Sequence, residues 1–445
     1  MLHFDLLLTG LTVLTVDPRM TVLHDASIGV AGGRIAWVGT QLPPHRAARR
    51  LDLPGRVACP GFVNVHTHAI LTMVRGVAED LGFAPAYTPG IPHGHDVTPE
   101  EAVALARLGT AEALLFGSTL INDTYVHADL TLPEMAALGG RVYSCGRIHD
   151  ADFSLVGDGR WEHHEAIGDA TLGAAVVLAE RWHGALEGRC GVQLAAHAPD
   201  TCSDRLLRRI GETARVKGLR VNTHLAQSRT EVAQVRRRSG RTPAQVLEET
   251  GLLDDRLIAA HCIHMEADDI ERCGRAGIHV AHVPKGNATG GTIAPTSALR
   301  RAGARITLGS DNMHADLVEV MRWALAVGRV QDGRVDEHWQ PADVLRMATI
   351  DGARAMGLED RIGSLEPGKQ ADIVVLDFRR PHLVPCENAQ GNLVHVAQGR
   401  DVEHVFVDGR QVVDAGRLVL ADQDGLLAAA SRASRALWQR ARAHA

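Results

Sequence analysis

Aromatic side chains are scarce in this chain: seven Phe, three Tyr and six Trp make up 4% of its 445 residues. A surface that reads bases by stacking is therefore not expected, whereas the abundant Gly and Ala suit close-packed helices and tight strand-to-helix turns. A dominant charge is also missing. The 47 Lys and Arg stand against 53 Asp and Glu, a formal net charge of −6; this points to neither nucleic acid nor an anionic membrane, and leaves a small molecule as the expected partner. The seven cysteines are scattered without a C-x-x-C pair, which argues against a disulfide framework and fits a reducing compartment. No run approaches the roughly 20 apolar residues of a membrane span. The apolar start, MLHFDLLLTGLTVLTVD, is interrupted by Asp5 and Gly10 and has no basic leader, so a cytoplasmic protein is expected. Neither G-x-G-x-x-G nor a Walker-like stretch follows a strand, and Gly286, Gly290 and Gly291 lack that spacing, which disfavours nicotinamide and phosphate-loop chemistry.

What the chain does have is 45% hydrophobic content over a length beyond one small domain. Residues 6–53 read as short strands without helices between them, with Gly32-Gly33 as a hairpin turn. The same texture returns in ADIVVLD (371–377), VEHVFVD (402–408) and QVVD (411–414), around turns at Asp408-Gly409 and Ala415-Gly416. One β-domain built from both termini is expected, with its parts at 1–54 and 366–422 and a terminal helix over 423–445. The middle alternates. Strand-like runs at 191–197, 219–226, 257–262, 278–284 and 305–311 are separated by amphipathic helical stretches. One such stretch, PEEAVALARLGTAEALLFG, puts Pro99, Glu100 and Glu101 in a first helical turn and Gly117 at the end. Repeated strand-then-helix units over 55–365 predict the α/β class and a TIM-like (β/α)8 barrel.

The stretch PGFVNVHTH (60–68) organises the chemistry. Val63 and Val65 alternate with Asn64 and His66 at the period of a strand, so His66 and His68 share one side. Two imidazoles there are able to bind one ion in common. His197, His224, His261, His282 and Asp311 each come at or near the C-terminal end of a later strand-like run, where barrel active sites are built. Packing alone does not account for such a set. His93, His95, His163, His164 and His183 lie in polar surroundings and read as loop or helix-surface residues.

PGFVNVHTH, THLAQS, AHCIHM, HVPKGNATGGTIAP and LGSDN, in that order and followed by IGSLEPGKQADIVVLD, resemble the metal-dependent amidohydrolase superfamily. Within it they are similar to the branch of S-adenosylhomocysteine and guanine deaminases and triazine hydrolases. The resemblance covers nearly the whole chain. It implies a (β/α)8 barrel, a composite β-sandwich beside it, and hydrolysis of a C–N or related bond on a small, usually heterocyclic substrate. By position it assigns His66, His68, His224 and Asp311 as ligands of one divalent ion, zinc by preference and iron or manganese by the chemistry of the donors. Such an ion lowers the pKa of bound water and supplies hydroxide near neutral pH. The resemblance further implies that Asp311 doubles as general base and that His261 polarises the attacking species or the developing oxyanion. His264 lies further on and is not expected to reach the metal. Relatives are commonly dimeric or larger, so a homodimer or larger homo-oligomer is expected.

One departure stands out. Where the deaminases of this branch carry a proton-shuttling glutamate three residues after the metal histidine, this chain has Gln227. An amide orients water or substrate but does not act as an acid, and losing an acid–base group typically costs about 10² to 10⁴ in rate. Glu231, one turn later, is not expected to swing back. Halide displacement from a triazine-like ring, or opening of a cyclic amide, is therefore kept beside deamination, as is a silent member that binds metal or ligand only. On the substrate side the resemblance points to His197, in a motif where Asp200 replaces the usual tyrosine, and to the acidic Glu79 and Asp80. Lys285, standing where relatives often have serine, would favour an anionic or carbonyl-bearing substrate, and Asn312 would bond a ring substituent. The Pro- and Gly-rich stretch LGFAPAYTPGIPHGHD (81–96) is a candidate pocket cover.

Overall fold

The computed structural model describes residues 1–81, 91–311 and 314–443. The N-terminal strands are β1 (Leu2–Leu14), β2 (Val22–Ala31), β3 (Arg34–Gly39) and β4 (His45–Pro60). They join β14 (Ile373–Asp377), β15 (Val402–Val407), β16 (Arg410–Asp414) and β17 (Arg417–Leu418) in one eight-stranded sheet of order β17-β16-β15-β14-β4-β1-β2-β3. Both termini thus build one domain, as expected. Pairing is antiparallel except between β1 and β4. Along β1 the buried set shifts from Leu6 and Leu8 to Leu11 and Val13, a change of parity made by a register shift at Gly10, whose φ is 74°.

The run in β14 is apolar without alternation because both faces of the sheet are covered. Ile373 and Val375 join Leu8, Ile28 and Phe406 in the sheet's own core, while Val374 and Leu376 pack into the larger core shared with the barrel. Where barrel and sheet meet, the buried Arg141 donates to Asp372 Oδ2 and Oδ1 at 2.7 and 3.0 Å and to Asp408.

The barrel strands are β5 (Phe62–Thr67), β6 (Ser118–Tyr125), β7 (Arg141–Ile148), β9 (Leu194–Ala196), β10 (Val221–Leu225), β11 (Leu257–His261), β12 (His279–His282) and β13 (Arg305–Leu308), with the two-residue β8 (Cys190–Gly191) beside β7. Every described pairing among them is parallel. A bridge between Thr67 and Asp311 closes the ring. The expected TIM-like barrel is present. The sequence runs at 219–226, 257–262 and 278–284 are shorter as strands because their last residues turn out of the ladder to form the rim. The helix Pro99–Leu115 starts on Thr98, whose hydroxyl accepts the Glu101 N–H while the Glu101 carboxylate takes the Thr98 N–H. The terminal helix Gln423–Ala443 packs on it, with Arg440 paired to Glu101 at 2.6 Å and Trp438 Nε1 donating to the Met73 carbonyl.

Removing one partner of a buried ion pair strands the other charge, so Asp372→Ala is expected to cost about 3–5 kcal/mol. The measurement is the thermal midpoint, with an exposed control such as Asp424→Ala leaving it unchanged.

Candidate functional site

At the C-terminal rim of the barrel, β5 and the end of β13 meet. Asp311 N–H donates to the His66 carbonyl at 2.9 Å, and His68 N–H and Thr67 Oγ1 donate to the Asp311 carbonyl at 2.9 and 2.8 Å. Asn64 and Ser310 bond reciprocally at 2.8 and 3.1 Å. Gly309 makes this approach possible: a Cβ there would sit 2.8 Å from His66 Cβ and 2.9 Å from its carbonyl oxygen. Asp311 and His261 hold φ of 62° and 71°, a left-handed conformation in which non-glycine residues are strained.

Side chains from these elements converge. Asp311 Oδ1 lies 3.5 Å from His66 Nε2 and 3.4 Å from His68 Nε2, and His68 Nε2 lies 3.2 Å from His224 Nε2. All four residues are buried. His68 Nδ1 donates to the Thr124 carbonyl, and His224 Nδ1 to the His197 carbonyl at 2.6 Å. A carbonyl only accepts, so each neutral ring carries its proton on Nδ1 and leaves a bare lone pair on Nε2. Two such lone pairs 3.2 Å apart repel unless a cation lies between them. His66 Nε2 is buried without a hydrogen-bond partner. Separations of 3.2 to 3.5 Å match the edges of a tetrahedron with metal–ligand bonds of ~2.0–2.2 Å. The residues present fit a divalent ion.

Burial sets the protonation states. It lowers His68 to a pKa of about 3, with His66 and Arg147 adding to the effect, and holds His224 and His197 well below the usual histidine range. Burial alone would raise the Asp311 carboxyl, but the rings of His66, His261 and His68 beside it outweigh that effect and keep the group ionised. Neutral imidazoles and a carboxylate are the forms that bind metal. His261 Nε2 lies 4.0 Å from Asp311 Oδ2, and its Nδ1 meets Asn287 Oδ1 at 3.1 Å.

The other sequence-derived candidates are distributed around this cluster. His197 packs 5.1 Å from His224, ring to ring, with Nδ1 on Thr201 Oγ1. Gln227 is buried beyond His224, and its backbone N–H donates to Glu231 Oε2 at 2.7 Å. Glu231 also takes the Ala226 N–H, so its carboxylate is engaged in holding this turn. Glu79 is half-buried, with Oε2 lacking a hydrogen-bond partner. Lys285 pairs with Glu319 at 2.8 Å. Asn312 and residues 82–90 of the candidate cover lie outside the described residues.

Several residues were not singled out from the sequence. Arg147 stands at the end of β7 with its guanidinium 4.7 Å above the Tyr125 ring and 5.0 Å from Phe153, and its Nε is buried without a partner. Both nitrogens of His314 are likewise buried and unpartnered. A polar residue closing an apolar strand, as in GRIHD, was the available signal for Arg147. Asn287 carried no such signal, since only the fold brings it to His261.

Alanine at His224 or Asp311 is expected to weaken divalent-ion binding by about tenfold or more. Metal content after dialysis against a chelator checks it, and unchanged retention in both variants contradicts the ligand set.

The Amidohydrolase family matches residues 57–412. The chain is 36% identical over 422 residues to the 5-methylthioadenosine/S-adenosylhomocysteine deaminase of Desulforudis audaxviator, covering 92% of this chain and 94% of that protein. It is 32% identical over 449 residues to the 5'-deoxyadenosine deaminase of Methanosarcina acetivorans, covering 99% and 100%. Among solved structures, an adenosine deaminase from Xanthomonas campestris with bound zinc matches at a TM-score of 0.86 and 28% identity, covering 99% of each chain. With its closed parallel barrel and its rim of histidines and one aspartate, the chain belongs to the Amidohydrolase family and is a hydrolase of carbon–nitrogen bonds other than peptide bonds.

Proposed function

We propose that this protein uses one divalent ion, zinc, to hydrolyse the exocyclic amine of a small nitrogen heterocycle of the adenosine type. The convergence of His66, His68, His224 and Asp311, with His261 alongside, carries this reading. Near full-length similarity to proteins named as adenosine-type deaminases supports the substrate class. The ion, when bound by these four residues, supplies the positive charge that makes water acidic at neutral pH. Iron or manganese suits the same donors.

The remaining work falls to the side chains. Asp311, ionised, takes a proton from water as the oxygen bonds to the ring carbon that carries the amine. His261, neutral and steered by Asn287, faces the same point and orients the incoming oxygen. Two protons must leave the water in succession, one for the ring nitrogen and one for the departing amine. Gln227 does not titrate, so both pass by way of Asp311. The C–N bond then breaks, ammonia leaves and the ring keeps a carbonyl.

Gln227 also favours a second reading. A substituent that departs as an anion, such as chloride on a triazine-like ring, needs no second proton. We extend the proposal to a cytoplasmic homodimer or larger assembly; seven free cysteines, six of them buried, support the reducing compartment.

The test is release of ammonia and of chloride by metal-loaded protein from adenosine-type nucleosides, pterins and chlorotriazines. Ammonia from a nucleoside, lost by about 10² to 10⁴ in Asp311→Asn, supports the first reading. Chloride release alone selects the second. Silence on the panel at full metal occupancy overturns both. Gln227→Glu is expected to raise ammonia release by up to about 10² and to leave chloride release unchanged.

A further inference from the structure

A second cleft opens at the other end of the barrel. β10, β11 and β13 begin beside Arg220, Arg256 and Arg305, and these arginines with His279 line a cleft of about 580 Å³ whose far wall is the helices Pro341–Met347 and Ile350–Met356. Six arginines and four carboxylates face it. Three of the arginines are answered: Arg300 lies 2.9 Å from Asp343, and Arg354 and Arg346 lie 2.5 and 3.8 Å from Asp351.

The other three form no ion pair among the described residues. Arg256 donates to the Leu219 carbonyl, and Arg305 Nη1 donates to His279 Nε2 at 3.4 Å. Arg220 Nη1 is buried with no hydrogen-bond partner, and the remaining carboxylates, Glu359 and Asp255, act on it only at longer range. His279 is 1% exposed. Because its Nε2 accepts from Arg305, the neutral ring carries its proton on Nδ1, and that nitrogen too is buried without a partner. Burial and the arginines Arg220 and Arg305 push its pKa down to about 4, which keeps the ring neutral. Three guanidiniums and the buried Nδ1–H of His279 therefore share a cavity whose two remaining carboxylates, Glu359 and Asp255, form no ion pair with them among the described residues. Such unsatisfied groups are rare in folded proteins and call for an occupant.

We propose that this cleft binds a phosphate group, free or carried on a small ester, at a site on the barrel face opposite the metal-ligand cluster. Guanidinium forks match phosphate oxygens two at a time, and those oxygens supply the acceptors that Arg220 and His279 lack. A volume of about 580 Å³ lies within the range of small-molecule sites, roughly 300–1,000 Å³, and leaves room beyond a single phosphate. The occupant bridges the starts of β10, β11 and β13, the strands that carry His224, His261 and Asp311 at their other ends. Its binding therefore raises thermal stability.

The test titrates metal-loaded protein with inorganic pyrophosphate, orthophosphate and ribose 5-phosphate at constant ionic strength set by chloride, read by calorimetry and thermal shift. One saturable site per chain with a rise in Tm is expected. Arg305→Gln, at an exposed position, and Arg220→Gln each weaken binding by at least about tenfold. Arg301→Gln, an exposed arginine outside the cleft, leaves it unchanged. Tighter binding of ribose 5-phosphate assigns the site to an ester, and tighter binding of pyrophosphate to the free anion. Circular dichroism confirms that each variant is folded, and Arg305→Gln decides if Arg220→Gln is not. No saturable binding at millimolar concentration, or binding unaffected in a folded Arg305→Gln, overturns the proposal.

Discussion

The seam between β5 and the end of β13 is the contact on which the site depends. Among the described residues no regular ladder joins them; the ring closes through the Thr67–Asp311 bridge, the Asn64–Ser310 pair and the close approach at Gly309. The same backbone bonds that close the barrel set Asp311 against His66 and His68. Closure of the ring and the placing of these side chains are one event here. A side chain at Gly309 would open both, because its Cβ would collide with backbone that has nowhere to move.

Burial then decides the chemistry of what the seam assembles. Four histidines with lowered pKa values surround a carboxylate that stays ionised, and main-chain carbonyls select the tautomer of His68 and His224. Taken without a cation, the arrangement is unfavourable: lone pairs face one another, and His261 and Asp311 hold strained backbone conformations. A cation held among them would offset these terms, since strain of this kind persists where the surroundings over-determine it. The opposite end of the barrel has the inverse problem, with excess cationic donors and too few acceptors.

The eight-stranded sheet covers one side of the barrel. Its strands bury both faces, one in a core of its own and one against barrel helices, and Arg141 ties the start of β7 to Asp372 and Asp408. An ion pair so deeply buried contributes little net stability, yet it fixes one docking of sheet on barrel because any other would leave a charge unpaired.

Much of this was legible in the chain itself. Period-two apolar runs, capping residues and turn glycines announced strands and helices, and five chemistry-bearing residues at run ends, after the paired His66 and His68, announced a rim, because local pattern follows from local burial. Gln227 stood out through the resemblance alone, since the chain by itself does not say that relatives carry an acid at that position. Other features had no local cause. Val63 and Val65 do not reveal that β5 closes on β13, nor does KGNATGG reveal that Asn287 meets His261. Arg147 could not be told from a solvated arginine until Tyr125 and Phe153 enclosed it, nor Arg220, Arg305 and His279 recognised as neighbours. Residue type and spacing determined which groups could do chemistry; only the closed ring, through contacts between residues far apart along the chain, decided which of them meet and in what state of protonation.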